Sequence, residues 1–354
     1  VIKFYNQEYW EVRDLELYDP DFENVNQNTT NVYRSGICVS AENVGELEHF
    51  YFDNLVVHGF RGPGSNIGKT SGGIMMNVYR DPNKSGSEQV PTAINDIRIT
   101  NCEIYDVGRS GVNFLNPWAR RAETGDTKWG PNYMSSHAPG SAGFTYTPYK
   151  NFYFANNIVH DVDGDGLIVD NNSGAVVENN LVYRTTKNPG AMGASVGMFN
   201  WNSDDTVFQY NEVYDIQMGG DAQGIEVDAL NDGTIVQYNY VHDNAGGLMM
   251  WCNTSDGIRS FDSVIRYNIS QNDGVGHGLF DMRPANYNTE FYNNTIYLKP
   301  DVLNSQGQIN LFGYSGGSMT TAKFYNNIFY YTGEEAKPAN NFGGNTLDWR
   351  SNIF

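Results

Sequence analysis

Short runs in which apolar and polar side chains alternate recur along this chain, most of them built around an asparagine: ITNCEIYD, FANNIVHD, VENNLVYR, FQYNEVYD, VQYNYVHD, IRYNISQN, FYNNTIYL and FYNNIFYY. Alternation with period two marks a strand with one buried face. Anchored on its asparagine, the phrase falls at Asn157, Asn180, Asn211, Asn239, Asn268, Asn294 and Asn327, in steps of 23, 31, 28, 29, 26 and 33 residues, with weaker copies at Asp14, Asn54 and Cys102. Each unit continues through a second short strand such as NIVHD, a glycine-bearing turn and a third strand such as GLIVD. This repeat, with no helical periodicity, predicts an all-β solenoid: a single-stranded right-handed parallel β-helix of about nine or ten coils, three short strands per coil. The recurrent asparagine is expected at a corner, in the left-handed conformation, with its amide bonded to the equivalent amide one coil away.

Residues 1–354 read as one such domain, cut within a coil at both ends, with loop insertions near 61–94 and 116–149. Insertions on a solenoid tend to overhang its binding face. The third strand aligns across coils on a glycine followed by a large apolar residue: Gly111-Val112, Gly166-Leu167, Gly197-Met198, Gly224-Ile225, Gly247-Leu248 and Gly278-Leu279. With the apolar residue inward, Asn113, Ile168, Phe199, Glu226, Met249 and Phe280 point outward, and so, two residues on, do Leu115, Asp170, Trp201, Asp228, Trp251 and Met282.

An exposed row running Asp170, Trp201, Asp228, Trp251 would set carboxylates beside indoles. Sugar rings offer C–H faces to aromatic side chains and hydroxyls to carboxylates, and glycosidic cleavage needs two carboxyl groups across the bond. Glu226, Asp228 and Asp170 are therefore the candidate catalytic carboxylates, joined by His277 in GVGHGLFDMR as a further acid or base. Trp201, Trp251, Arg283, Asn113, Trp118 and Gln223 are the candidate substrate-binding residues. Strand geometry puts the Cα atoms of Glu226 and Asp228 roughly 6.6 Å apart, and those of Asp170 and Asp228 on the order of 9.6 Å, both near the ~6.5–9.5 Å separation of an inverting hydrolase.

The 41 acidic and 22 basic residues give a formal charge of -19, which repels nucleic acid and anionic membranes, so neither is an expected partner. Cys38, Cys102 and Cys252 lack metal-knuckle or disulfide spacing and read as small core residues. No metal or cofactor is expected, save that DVDGDGLIVDNN clusters oxygen ligands that suit calcium near Asp163 and Asp165.

The phrases DTVFQYNEVYD, GTIVQYNYVHDNAGG and SVIRYNISQNDG resemble those of the secreted carbohydrate-active proteins with the pectate-lyase-like β-helix superfold, some of them glycoside hydrolases of the xylanase and fucosidase kind. That resemblance covers nearly the whole chain. It implies a secreted or cell-surface protein acting on a polysaccharide or oligosaccharide; the oligomeric state stays open. Three classes remain: a glycoside hydrolase using paired carboxylates, a polysaccharide lyase acting on a uronate polymer, and a non-catalytic glycan-binding or structural surface or filament protein. Scarcity of Lys and Arg on the proposed face weighs against the lyase.

Overall fold

The computed structural model describes residues 2–64, 70–121, 144–188, 194–217, 220–253, 258–274, 278–283, 285–299, 308–309, 312–314, 321–333, 337–338 and 346–354. Three long parallel sheets of ten, eleven and ten strands run the length of the chain, each strand pairing with its equivalent one coil away. This is the predicted solenoid with three strands per coil, and its ten-stranded sheets count one coil for each repeat. The first sheet, the site sheet, runs Ile2–Tyr5, Ser35–Glu42, Gly72–Tyr79, Ser110–Leu115, Asp165–Asp170, Met198–Trp201, Gln223–Val227, Gly247–Trp251, Phe280–Met282 and Phe312–Tyr314. The inward side chains form one continuous core from Phe4 to Phe329.

The asparagine ladder is present, with its two expected properties divided between neighbours. The amides of Asn157, Asn180, Asn211, Asn239, Asn268, Asn294 and Asn327 each donate from Nδ2 to Oδ1 of the next member at 2.9–3.1 Å, the last to Asn352. Each backbone N–H in the series also donates to that same Oδ1. The left-handed conformation belongs instead to the residue before, at Asn156, Asn179, Tyr210, Tyr238, Tyr267, Asn293 and Asn326. The ladder amide is buried because its neighbour makes the turn. The early copies follow the same rule: Asp14, Asn54 and Asn101 hold the positive φ, and Cys102 occupies the ladder position, its N–H donating to Asn157 Oδ1 at 2.9 Å.

A second, shorter column ends on a carboxyl group. Asn244 donates its backbone N–H and its Nδ2 to Asp273 Oδ1 at 3.0 and 2.9 Å, and Ser270 Oγ donates to Asp273 Oδ2 at 2.6 Å. Full burial pushes Asp273 up to about 7, against the opposing effect of these donors and of His242. A carboxyl group whose folded value is raised stabilises the fold while protonated, and that advantage is lost as pH rises from the unfolded value near 4 to the folded one. The contribution of Asp273 to stability is therefore expected to fall between pH 4 and 7. Asp273→Asn should flatten that dependence and gain at least about 1 kcal/mol at pH 8, read as the denaturant midpoint against pH. A variant with an unchanged slope would contradict a protonated Asp273.

The region near 61–94 is not a plain loop insertion, because Gly72–Tyr79 within it forms an eight-residue strand of the site sheet. The glycines that begin the site strands stand where the coil closes: a Cβ at Gly166 would lie 2.5 Å from Gly197 O and 2.8 Å from Val182 Cγ1.

Candidate active site

The outward residues of the site sheet follow the predicted alternation as far as Gln223–Val227 and then depart from it. Val112, Leu167, Met198 and Ile225 align as expected, but the next partner of Ile225 is Met249, not Leu248, followed by Phe280, not Leu279. Gly247, at φ 113°, stands opposite Gln223, so the coil carries one extra residue and both Leu248 and Met249 face the core. A one-residue slip exchanges the two faces of a strand. The true outward row is Asn113, Ile168, Phe199, Glu226, Met250 and Asp281; the next runs Leu115, Asp170, Trp201, Asp228, Cys252 and Arg283.

Several sequence expectations change accordingly. Trp251 pairs with Val227 and Met282 and is fully buried in the main core among Phe280, Phe291 and Phe324, so it is no sugar platform. Trp201 does face outward, yet it is only 4% exposed, covered in a second apolar cluster with Leu115, Ile168, Val196, Phe199, Leu230 and Ile258. Trp118 packs on Phe144 at 4.3 Å and is buried as well. Asn113 is fully buried and accepts a hydrogen bond from the N–H of Phe114 through Oδ1. His277 lies outside the described residues.

The cover over the Asp170 to Trp201 stretch comes from the described ends of the 116–149 insertion. Asn171 Nδ2 donates to Trp118 O at 3.1 Å and Asn202 Nδ2 to Ala119 O at 2.8 Å. Arg121 pairs with Asp204 at 2.6 Å, donates to Leu230 O at 3.1 Å and lies over the Tyr146 ring. Asp170 is 1% exposed beneath this layer, two strand steps along its row from Asp228. The residues proposed for calcium have guanidinium partners: Asp163 accepts from Arg61 and Gln27 at 2.8 and 2.9 Å, and Asp165 from Arg109 at 2.5 Å. A fixed positive charge stands where the cation was expected.

What the fold brings together is a polar cluster at the seventh to ninth strands of the sheet. Glu226, Asp228 and Cys252 each offer a ligand atom within 4.8 Å of the others. Arg283 Nη2 reaches Asp221 at 3.0 Å and Asp281 at 3.4 Å, and its Nη1 lies 3.4 Å from Cys252 Sγ. Burial first, then the charges of Asp228 and Glu226, holds the Cys252 thiol well above its ordinary value, so it is a neutral neighbour rather than a thiolate nucleophile. Cys252 was expected in the core and instead faces the carboxylates. Glu226 and Asp281 are nearly buried, whereas Asp221 and Asp228 keep partial access to solvent. Two site residues escaped the sequence reading. Asp281 had been set facing inward by the register slip, and a carboxylate assigned to an apolar core was the available signal. Asp221 precedes its strand, where alternation gives no information.

Oxygen, oxygen and sulfur atoms at this separation also suit a divalent metal, but the Arg283 guanidinium already lies against the same group and supplies the compensating charge. The arrangement fits proton transfer and carboxylate chemistry at a bond held across Asp228.

The comparisons with known proteins find the same parallel β-helix. Residues 92–261 match the family described as the right handed beta helix region. The chain is 28% identical over 320 residues to a lacto-N-biosidase of Bifidobacterium longum subsp. longum, a match covering 81% of this chain and 19% of that protein. Among solved structures it superposes on a GH136 lacto-N-biosidase from Eubacterium ramulus with a TM-score of 0.73 and 20% identity, covering 93% of this chain and 50% of that one. A periplasmic alginate epimerase shares the fold at a TM-score of 0.51 and 13% identity, covering 96% of this chain and 67% of that chain. The chain thus spans about a fifth to a half of the lacto-N-biosidases it matches.

Proposed function

We propose that this chain is the catalytic β-helix of a glycoside hydrolase that cleaves an oligosaccharide at the Asp228 cluster, with an activity of the lacto-N-biosidase type. The observation that carries the reading is the meeting of Asp221, Glu226, Asp228 and Asp281 around one arginine on the outward side of the site sheet. Asp228 is the fixed member of the catalytic pair, and its partner is Glu226 or Asp221. Glu226 has an oxygen within 4.8 Å of Asp228, a short separation of the kind found in retaining rather than inverting enzymes. The likeness to the Bifidobacterium enzyme supports hydrolysis over elimination. So does Arg283: a lyase would need it to neutralise a uronate, but its donors are committed to Asp221, Asp281 and Cys252.

The test is to incubate the protein with a lacto-N-biose glycoside and a panel of other oligosaccharides, following reducing ends, unsaturated products and, by proton NMR, the first anomer released. Release of lacto-N-biose with retained configuration is expected. Unsaturated products, or inverted ones, would overturn the reading.

A further inference from the structure

At the opposite end of the site sheet a cavity of about 540 Å³ opens over the strands Ile2–Tyr5, Ser35–Glu42 and Gly72–Tyr79. Asn77 in its floor shares the outward row with Leu115, Asp170, Trp201 and Asp228. Four coil steps along that row place it about 19 Å from the catalytic cluster, at about 4.8 Å per strand. The covered stretch at Asp170 and Trp201 separates the two. The cavity is therefore not part of the site already described.

Its lining has the make-up of a sugar pocket. Tyr33 and Tyr79 supply aromatic surface, Lys3, Arg34 and Asp19 supply charge, and Ser35, Ser40 and Thr70 supply hydroxyls. Asn77 decides the ligand chemistry. It is 3% exposed, its Nδ2 lies 3.6 Å from Cys38 Sγ, and its Oδ1 is buried without a hydrogen-bond partner. An acceptor buried in this way is destabilising unless something donates to it. A fully ionised inorganic anion brings only acceptors. A saccharide hydroxyl donates to Asn77 Oδ1 and still accepts from Lys3 or Arg34, while its ring lies on a tyrosine. The volume is that of an ordinary small-ligand pocket and holds one or two sugar rings.

We infer that this cavity is a second saccharide-binding site, reading ring hydroxyls through Asn77 Oδ1 and the Lys3–Arg34 edge, and independent of the catalytic cluster. In the substrate this would be a remote sugar or a second chain, held while cleavage proceeds elsewhere.

Saturation-transfer NMR with methyl glycosides of neutral, N-acetylated and acidic monosaccharides tests this, using three proteins: the unaltered chain, the catalytic variant Asp228→Asn, and Asn77→Leu. Asn77→Leu is close in volume and removes the bare acceptor, so its thermal midpoint should hold or rise. Signal is expected in the unaltered chain and in Asp228→Asn, reduced at least tenfold in Asn77→Leu. Preference among the three sugars then reports the weight of the Lys3–Arg34 edge. If Asn77→Leu binds as well as the unaltered chain, or if saturation is lost only in Asp228→Asn, the second site does not exist. As a control for folding, Lys3→Ala at the exposed rim should weaken binding severalfold with no change in midpoint, and an unchanged affinity there would count against the edge.

Discussion

Asp228→Asn is expected to lower kcat by a factor of about 10³ or more while leaving the fold and the thermal midpoint in place. The residue stands half-buried at the open end of its strand, within 4.8 Å of Glu226 and beside a cysteine that also senses Asp221. Removing its charge alters the reacting group without emptying a packed position. Glu226→Gln and Asp221→Asn then separate the two possible partners, because members of a catalytic pair act as a unit and are lost to a similar degree. One of them should fall with Asp228. The other should lose about tenfold, since it only shapes the field around the pair. Full activity in Asp228→Asn, measured on a lacto-N-biose glycoside, would remove the basis of the assignment. By contrast Asp170→Asn, 1% exposed beneath its cover and two strand steps from Asp228, should retain most of its activity.

The second large effect is structural. Asn239 accepts from the backbone N–H and the Nδ2 of Asn211 at 2.9 and 3.0 Å, and donates to Phe208 O and Asn268 Oδ1 at 2.9 and 3.0 Å. Asn239→Ala leaves two donors and two acceptors of the ladder without these bonds in a site that is 2% exposed. At about 1–3 kcal/mol for each buried group left unmatched, and with some of them finding water, the cost should reach about 3–5 kcal/mol. Its neighbours in the sequence report the other half of the corner. Tyr238 has φ 57°, so Tyr238→Gly should cost far less than Asn239→Ala, despite removing a ring from the Tyr210–Tyr238–Tyr267 stack. Urea denaturation of the pair checks this. Equal losses would mean that the ladder hydrogen bonds are not what holds the coils in register.

The solenoid was legible in the sequence because every coil restates it, and the spacing of the asparagines that defines the repeat is the spacing of the ladder bonds. The face of the site was legible only as far as the alternation stayed in phase. At Gly246 and Gly247 two glycines in succession hid an extra residue, and from there onward inward and outward were exchanged. That slip, repeated at Gly278-Leu279, brought Trp251 out and sent Asp281 in. Glu226, Asp228 and Arg283 survive as members of the cluster: the two carboxylates precede the slip, and Arg283 lies past the last site strand it affects. Burial of the outward face was not legible at all. Alternation tells which way a side chain points, whereas what lies over it depends on Trp118, Arg121 and Leu230 returning from distant parts of the chain.

The central claim is that the reacting bond sits at Asp228, and the most direct measurement is a crystal structure of the Asp228→Asn variant soaked with an intact lacto-N-biose-bearing oligosaccharide. The account predicts the glycosidic oxygen within hydrogen-bonding reach of the residue at 228 and of a carboxyl group from Glu226 or Asp221. Density for the cleavable bond over Asp170, or no sugar within reach of position 228, would contradict it.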